Sequence, residues 1–143
     1  MIDDLIQFYT LIKEFEGCKL KAYLCPAGVW TIGWGSTGPG IGPGLVWTQE
    51  QADERMYADA LRFARATLAL CPTLINHKGK WCAVSDLGYN VGEGALAAST
   101  LRRKVLAEDW EGALREFPKW VYGGGKVLPG LVRRRQAEMV IFQ

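Results

Sequence analysis

The sequence predicts an α+β fold, and three features of its residue pattern support this prediction. The first 16 residues place apolar side chains at helical spacing. Residues 19–47 form short alternating segments that glycine and proline interrupt, which is typical of a small β-hairpin region. From residue 48 onward the pattern returns to helical spacing, which continues to the C-terminus.

The length of 143 residues, with 49% hydrophobic content, is that of one ordinary domain with a full core. We therefore expect a single domain over residues 1–143. A small β lobe should cover about 17–47, and residues 1–16 and 48–143 should form a larger helical lobe. A cleft between the two lobes is where a polymer could lie.

The first helix is indicated by four apolar residues at helical spacing: Leu5, Ile6, Tyr9 and Ile12. Asp3 or Asp4 is expected to cap this helix, and Gly17 to end it. The β-hairpin is expected from the segments KLKAYLC and VWTIGWG, which a CPAG turn joins.

The longest helix should begin after Thr48, because Thr48 and Gln51 form a capping-box pattern. The helical pattern lasts for about 23 residues, until Pro72, which cannot continue a helix. Further helices are expected at about 80–91, 96–106, 109–117 and 130–142.

The net charge of +2 is divided unevenly along the chain. Residues 1–60 carry four Lys/Arg against eight Asp/Glu, whereas residues 61–143 carry thirteen against seven. The basic excess is modest and spread over several helices, so it identifies no anionic partner, and we expect no nucleic acid. The N-terminal segment lacks the roughly 18 apolar residues of a membrane span, so no stable membrane insertion is expected.

The four cysteines lack the CxxC spacing of metal sites, and the sequence has a single histidine, so we expect neither a metal nor a cofactor. Cys71 and Cys82 could close a small loop as a disulfide or remain two buried thiols, and the sequence leaves both open. The segment between Cys18 and Cys25 should be extended, which would hold these two thiols too far apart to pair.

Glu16 is a candidate acid at the junction of the first helix and the hairpin. Cleavage of a glycosidic bond needs a proton donor for the leaving oxygen and a second group that activates water or stabilises the cationic sugar. Glu16 could supply the proton if the cleft shields it from solvent. On spacing alone, an exposed glutamate at a helix end is the more ordinary interpretation.

Three blocks of the chain share the pattern of one enzyme family. Glu16, Cys25 and Thr31, within FEG…LKAY…PAGVWTIGWG, follow the order Glu, eight residues, Asp or Cys, five residues, Thr. Two later blocks are LGYNVGEGALAASTL and GGKVLPGLVRRRQAE. In all three the chain resembles the phage-type lysozymes of glycoside hydrolase family 24. The resemblance implies a lysozyme-like fold and hydrolysis of the β-1,4 bond between N-acetylmuramic acid and N-acetylglucosamine in peptidoglycan, with host cell lysis.

The resemblance also implies roles for individual residues. Glu16 matches the general acid, Cys25 a position usually held by Asp, and Thr31 the hydroxyl that helps to hold the attacking water. Three further residues match substrate-binding positions: Tyr89, Asn90 and Thr100. The implied enzyme is an endolysin and, we expect, a monomer. It would be made in the host cytoplasm and would act on the cell wall in the periplasm after holin-dependent release.

Two residues depart from the family pattern. The hairpin ends in GWGS, whereas most members have histidine in the place of Ser36. Cys25 replaces the usual Asp, and an unperturbed thiol is mostly protonated at neutral pH. Cys25 could act as a thiolate base, position water together with Thr31, or be a small buried residue. A wall-binding module that has lost catalysis, or a lytic transglycosylase, would share the same fold.

The RRR run at 133–135 could bind an acidic wall polymer. Three charges in a row on one helix are more often a solvent-facing surface, and this is the interpretation we expect.

Overall fold

The computed structural model describes residues 3–143. Its helices are α1 (Ile6–Glu16), α2 (Gln49–Leu70), α3 (Lys78–Val91), α4 (Glu93–Ala97), α5 (Thr100–Leu106), α6 (Trp110–Leu114) and α7 (Pro129–Phe142). Its strands are β1 (Lys19–Leu24), β2 (Trp30–Gly33), β3 (Tyr122–Gly123) and β4 (Lys126–Val127). The predicted α+β fold, with a small hairpin among helices, is confirmed.

The first helix begins later than its sequence indicates. A short 3₁₀ turn precedes it, and Leu5 occupies the capping position without a side-chain hydrogen bond. The predicted capping by Asp3 or Asp4 is therefore wrong. Gly17 ends α1 as predicted, with a φ of 67° that favours glycine, and the chain then turns into β1.

The strands β1 and β2 form the predicted antiparallel hairpin, in which Tyr23 pairs with Thr31. The N–H of Gly28 donates to the carbonyl of Cys25 at 2.8 Å and closes the connecting turn. Gly28 has a φ of 79°, which a side chain would strain. This turn brings Cys25 back towards the strand that contains Thr31.

The helix α2 begins with the predicted capping box. Oγ1 of Thr48 accepts from the N–H of Gln51 at 3.1 Å, and the N–H of Thr48 donates to Oε1 of Gln51 at 2.9 Å. The helix then runs for 22 residues to Leu70 and packs against β2. It is the support on which the hairpin rests.

The segment predicted as one helix at 96–106 is in fact divided into α4 and α5. Ser99 lies between them, and its Oγ accepts from the N–H of Arg102 at 3.0 Å, so it caps a new helix. A short hairpin, β3–β4, precedes α7 where the sequence indicated only a loop.

The helix α3 is the centre of the helical part and packs against α1, α2 and α7. Every residue from Trp81 to Gly88 is buried. Gly79 permits a close approach of α7, because an added Cβ would lie 2.5 Å from the carbonyl oxygen of Ile141. The C-terminal end of α3 thereby lies close to the end of α1 and the beginning of α7.

The arginine run on α7 differs from its prediction. Only Arg133 is exposed, whereas Arg134 and Arg135 are buried with 3% and 1% exposure. The expected solvent-facing surface is therefore wrong for two of the three charges, because each buried guanidinium has carboxylate partners inside the fold.

All four cysteines are free thiols. Cys71 and Cys82 are buried, and burial raises the pKa of each to about 11, so both stay protonated at neutral pH. Of the two alternatives, the structure has buried thiols rather than a disulfide. The predicted extended segment between Cys18 and Cys25 is β1.

Candidate active site

Glu16 is the last residue of α1, and its side chain is 21% exposed. Oε1 accepts a hydrogen bond of 2.7 Å from Nη1 of Arg134. Gly35 lies against the other side of the carboxyl group, where an added Cβ would be 2.7 Å from Oε2. The carboxyl group is thus bound at one oxygen and confined at the other, while part of it still reaches solvent.

Arg134 joins two carboxylates from different helices. Its Nε and Nη2 donate to the two oxygens of Asp86 at 2.8 and 2.9 Å, which is a bidentate pair. Burial alone would lower the pKa of Arg134, but the hydrogen bonds and charges of Asp86 and Glu16 raise it above its ordinary value. Sequence reasoning assigned neither Arg134 nor Asp86 to the site.

A second buried pair, Arg135 and Glu138, lies beside Asp86. Nη2 of Arg135 donates to Oε2 of Glu138 at 2.9 Å, while Nε lies 2.6 Å from Oε1 without hydrogen-bond alignment. Nη1 of Arg135 donates to the carbonyl of Trp120 at 3.2 Å. Burial, followed by the hydrogen bond and charge of Asp86, raises the pKa of Glu138 well above its usual value. Glu138 therefore binds a proton more readily than an ordinary glutamate does.

Cys25 lies at the start of the turn that joins β1 to β2. The pKa of its thiol is lowered, mainly because the N–H of Val29 donates to the sulfur, with further donors at Ala27, Thr31 and Gly28. These neighbours stabilise the thiolate and so increase the fraction of Cys25 that is ionised at a given pH.

Thr31 is buried on β2 and lies within hydrogen-bonding reach of Cys25. Its one hydroxyl proton can go to the sulfur or to the carbonyl of Val29, which is 3.0 Å from Oγ1. When the proton goes to Val29, the lone pairs of Oγ1 are free to accept from a water molecule.

Tyr23 on β1 lies near both Glu16 and Cys25. Its pKa is raised first by burial and then by the negative charges of Glu16 and Cys25. Both groups are therefore within electrostatic range of one phenol. Tyr23 pairs with Thr31, and Glu16 lies just before β1, so Glu16 and the Cys25–Thr31 pair adjoin the same hairpin.

The three predicted substrate-binding residues occupy different settings. The hydroxyl of Tyr89 donates to the carbonyl of Trp34 at 2.8 Å, and burial raises the pKa of Tyr89, so this phenol ties the hairpin to α3. Asn90 borders a cavity beside Glu16, and its buried Oδ1 lacks a hydrogen-bond partner among residues 3–143. Thr100 begins α5, where its hydroxyl accepts a hydrogen bond of 2.7 Å from Nη2 of Arg103 in the same helix.

The cavity beside Glu16 has a volume of about 740 Å³. Its walls are the end of α1, the end of α3 and the first half of α7, and they include Phe15, Asn90, Leu131 and Arg133. It lies on the α7 side of Glu16 rather than between the hairpin and the helices, because the Gly35 backbone packs against Glu16 on the hairpin side.

Ser36, which departs from the family pattern, ties the end of the hairpin to α2. Its Oγ donates to Oδ2 of Asp59 at 3.0 Å, and Nε of Arg55 donates to Oδ1 of the same carboxylate at 3.0 Å. Nearby, Nε1 of Trp34 donates to Oδ1 of Asp53 at 2.7 Å. The hairpin is therefore anchored to α2 through two neutral donors.

Between residues 3 and 143, no group of histidine, cysteine, aspartate or glutamate side chains is arranged to hold a metal ion. In the same range, no helix combines the length and the apolar character that a membrane crossing needs.

We expect Glu138→Gln to flatten the pH dependence of stability. Because folding raises the pKa of Glu138 above 4.5, the folded chain keeps a proton that the unfolded chain has already released. The stability contributed by this group is fully present below 4.5 and decreases as the pH rises towards the folded-state pKa. Between these two pKa values, the free energy of unfolding of the wild type should fall by up to ~1.4 kcal/mol per pH unit more than that of the variant, because the amide of the variant does not titrate.

Urea unfolding followed by circular dichroism, at pH values from about 4 to 8, measures both slopes. Equal slopes for the wild type and Glu138→Gln would show that Glu138 is ionised in the fold.

Comparison with known proteins places the chain in a family. The family model described as phage lysozyme matches residues 13–138. The endolysin of Acyrthosiphon pisum secondary endosymbiont phage 1 is 40% identical over 94% of this chain and 93% of its own length. The endolysin of Bacillus phage B103 is 37% identical over 93% of this chain, which spans only 51% of that relative.

A solved structure gives the same result. The muramidase domain of SpmX from Asticaccaulis excentricus has a TM-score of 0.85 and 30% sequence identity, covering 96% of this chain and 95% of that one. The lysozyme-like fold is therefore confirmed. The chain belongs to the phage lysozyme family.

Proposed function

We propose that Glu16 is the general acid, and that Cys25 and Thr31 position the attacking water, in the hydrolysis of peptidoglycan. The chain is a lysozyme of the endolysin type, a muramidase whose action lyses the host cell. The observation that carries the assignment of Glu16 is its binding by the buried Arg134 at the edge of a large cavity. An ordinary exposed glutamate at a helix end would have neither feature.

In the proposed reaction Glu16 gives its proton to the oxygen that leaves the N-acetylmuramic acid residue as the glycosidic C–O bond breaks. A water molecule held by the Thr31 hydroxyl forms the new bond to the anomeric carbon. The proton of this water passes to the thiolate of Cys25, whose N–H donors favour the charged form. Cys25 would thereby replace the carboxylate that most of the family has at this position.

We propose that Tyr89, Asn90 and Thr100 contribute to substrate binding, and the evidence differs among the three residues. Asn90 has the strongest support, because the residue borders the cavity next to Glu16 and its buried carbonyl oxygen has no hydrogen-bond partner among residues 3–143. Tyr89 would act through the hairpin that it holds in place. Thr100 is supported by the family resemblance alone.

We further propose that residues 1–143 form a single catalytic domain that works as a monomer. The enzyme would be made in the host cytoplasm and would reach the cell wall when a holin opens the inner membrane. Sedimentation equilibrium measures the mass in solution and so tests whether the protein is a monomer. Expression in the cytoplasm with and without a coexpressed holin tests whether lysis depends on release through the inner membrane.

We expect Glu16→Gln to fold normally and to lose activity by roughly 10²–10⁴-fold, because the amide keeps the shape but cannot donate the proton. Release of soluble fragments from purified peptidoglycan measures the rate, and mass spectrometry of the fragments should find reducing ends. Glu54→Gln, an exposed residue on α2, is the matched control and should keep the wild-type rate. Near-wild-type release by Glu16→Gln would overturn the role of Glu16, and anhydro-muramyl ends would indicate a lytic transglycosylase.

Cys25→Asp should remain active, because a carboxylate restores the group that is common in the family. Cys25→Ala removes the proton acceptor and should be severely impaired, by on the order of 10²-fold or more. The same assay of soluble fragments compares the two variants. If the alanine variant matches the wild type, Cys25 is a packing residue without a catalytic role.

Gly35→Ala should reduce activity by more than its loss of folding stability can explain. The new Cβ would lie 2.7 Å from Oε2 of Glu16, whose other oxygen Arg134 already binds, so the carboxyl group must move. Gly40→Ala is the control, because Gly40 has a φ of 83° against 86° at Gly35 but no atom within 4 Å. Both variants should lose a similar ~1–3 kcal/mol from backbone strain, and equal activity of the two would contradict the close contact.

A further inference from the structure

The buried carboxylate Asp86 is in direct contact with the group that binds the proposed general acid. Arg134 presents Nη1 to Glu16, and it presents Nε and Nη2 to Asp86. Asp86 is 0% exposed, whereas the Glu16 side chain is 21% exposed. The interior partner therefore has two hydrogen bonds to the guanidinium and the solvent-facing partner has one.

This asymmetry matters for a general acid, which must carry a proton in order to donate it. An isolated guanidinium next to a carboxyl group favours the ionised carboxylate and commonly lowers the pKa of the carboxyl group by about 1–3. A second carboxylate on the same guanidinium offsets part of the positive charge. It also holds the guanidinium plane in one orientation, since the bidentate contact fixes both position and tilt.

We propose that Asp86 is a positioning residue for catalysis: it fixes Arg134 against Glu16 and offsets the charge of Arg134, so that Glu16 can hold the proton that it donates. The proposal rests on the function proposed above for Glu16. It adds a residue that makes no contact with substrate and acts entirely through Arg134.

The neighbouring pair supports this arrangement. Glu138 lies against Asp86 from α7, and burial, together with the hydrogen bond and charge of Asp86, raises the pKa of Glu138. When it is protonated, Glu138 can donate a hydrogen bond to Asp86 and so help to hold the Asp86 carboxyl group in place against Arg134. Arg135 then supplies a second positive charge to the same buried cluster.

Other titratable or charged groups lie near Glu16, Arg134 or Asp86: Glu14 of α1, Tyr23 of β1, Cys82 and Tyr89 of α3, and Arg133, Arg135 and Glu138 of α7. Asp59 of α2 acts on this group through Tyr89. Among the described residues, Glu16 and Asp86 are the side chains that hydrogen bond to Arg134. A change at Asp86 therefore acts on Arg134 more directly than a change at any of the others.

The test is the pH profile of peptidoglycan hydrolysis by Asp86→Asn. A general acid loses activity as the pH rises and the acid ionises, which gives the alkaline limb of the profile. With the offsetting charge removed, this limb should move to lower pH by on the order of one unit. The rate at neutral pH should then fall about tenfold, and much of it should return at acid pH. Glu54→Gln also loses one negative charge, and its alkaline limb should stay at the wild-type pH. This variant is the control for any effect of net charge on wall binding.

A purely structural role of Asp86 would lower the rate equally at all pH values, and an unmoved alkaline limb in Asp86→Asn would overturn the proposal. Asp86→Glu keeps the negative charge and provides a second test in case the asparagine variant does not fold. Its rate should fall because the longer side chain displaces Arg134, but its alkaline limb should stay at the wild-type pH. A limb displaced to lower pH despite the retained charge would contradict the charge offset.

The outcomes separate this inference from the proposed function. If Glu16→Gln is inactive at every pH while the limb of Asp86→Asn does not move, Glu16 remains the acid and only the role of Asp86 fails. If Glu16→Gln is active, the proposed function itself fails.

Discussion

The guanidinium of Arg134 is the interaction on which the rest of the site depends. It comes from α7, pairs with Asp86 of α3 and binds Glu16 at the end of α1, so one side chain joins three helices. A buried charge without partners is strongly unfavourable, and loss of one partner typically costs about 3–5 kcal/mol. The three helices are therefore held in the one arrangement that satisfies this charge. The same arrangement orients the Glu16 carboxyl group, so the stability of the core and the geometry of the site have a common origin.

The hairpin is positioned by hydrogen bonds from uncharged donors. Tyr89 binds the Trp34 carbonyl, and Ser36 binds Asp59, so the strands are attached to both α3 and α2. Because Ser36 has no charge to lose, this attachment does not weaken through titration at position 36. The turn at Cys25 then directs backbone N–H groups at a thiol. A cysteine can thereby approach the behaviour of the carboxylate that it replaces.

Local patterns predicted the parts of the fold that depend on neighbouring residues in the chain. The hairpin, the capping box at Thr48 and the glycine stop after Glu16 are of this kind. The ion pairs were missed because they depend on contacts between distant segments of the chain. A run of three arginines, taken alone, is typical of a solvent-facing surface. A signal was present: Asp86 interrupts a helix whose neighbouring positions, from Trp81 to Gly88, are otherwise small or apolar. A lone acid in such a helix needs a basic partner, and α7 offers three candidates.

In the proposed mechanism, Arg134 and Asp86 hold the Glu16 carboxyl group where the scissile bond binds. A crystal structure of Glu16→Gln with a bound peptidoglycan fragment that spans the scissile bond would test this placement. The glycosidic oxygen should lie at about 2.6–3.2 Å from the side-chain amide at position 16, with the bidentate contact between Arg134 and Asp86 retained. A fragment whose glycosidic oxygen lies beyond hydrogen-bonding reach of that side chain would contradict it.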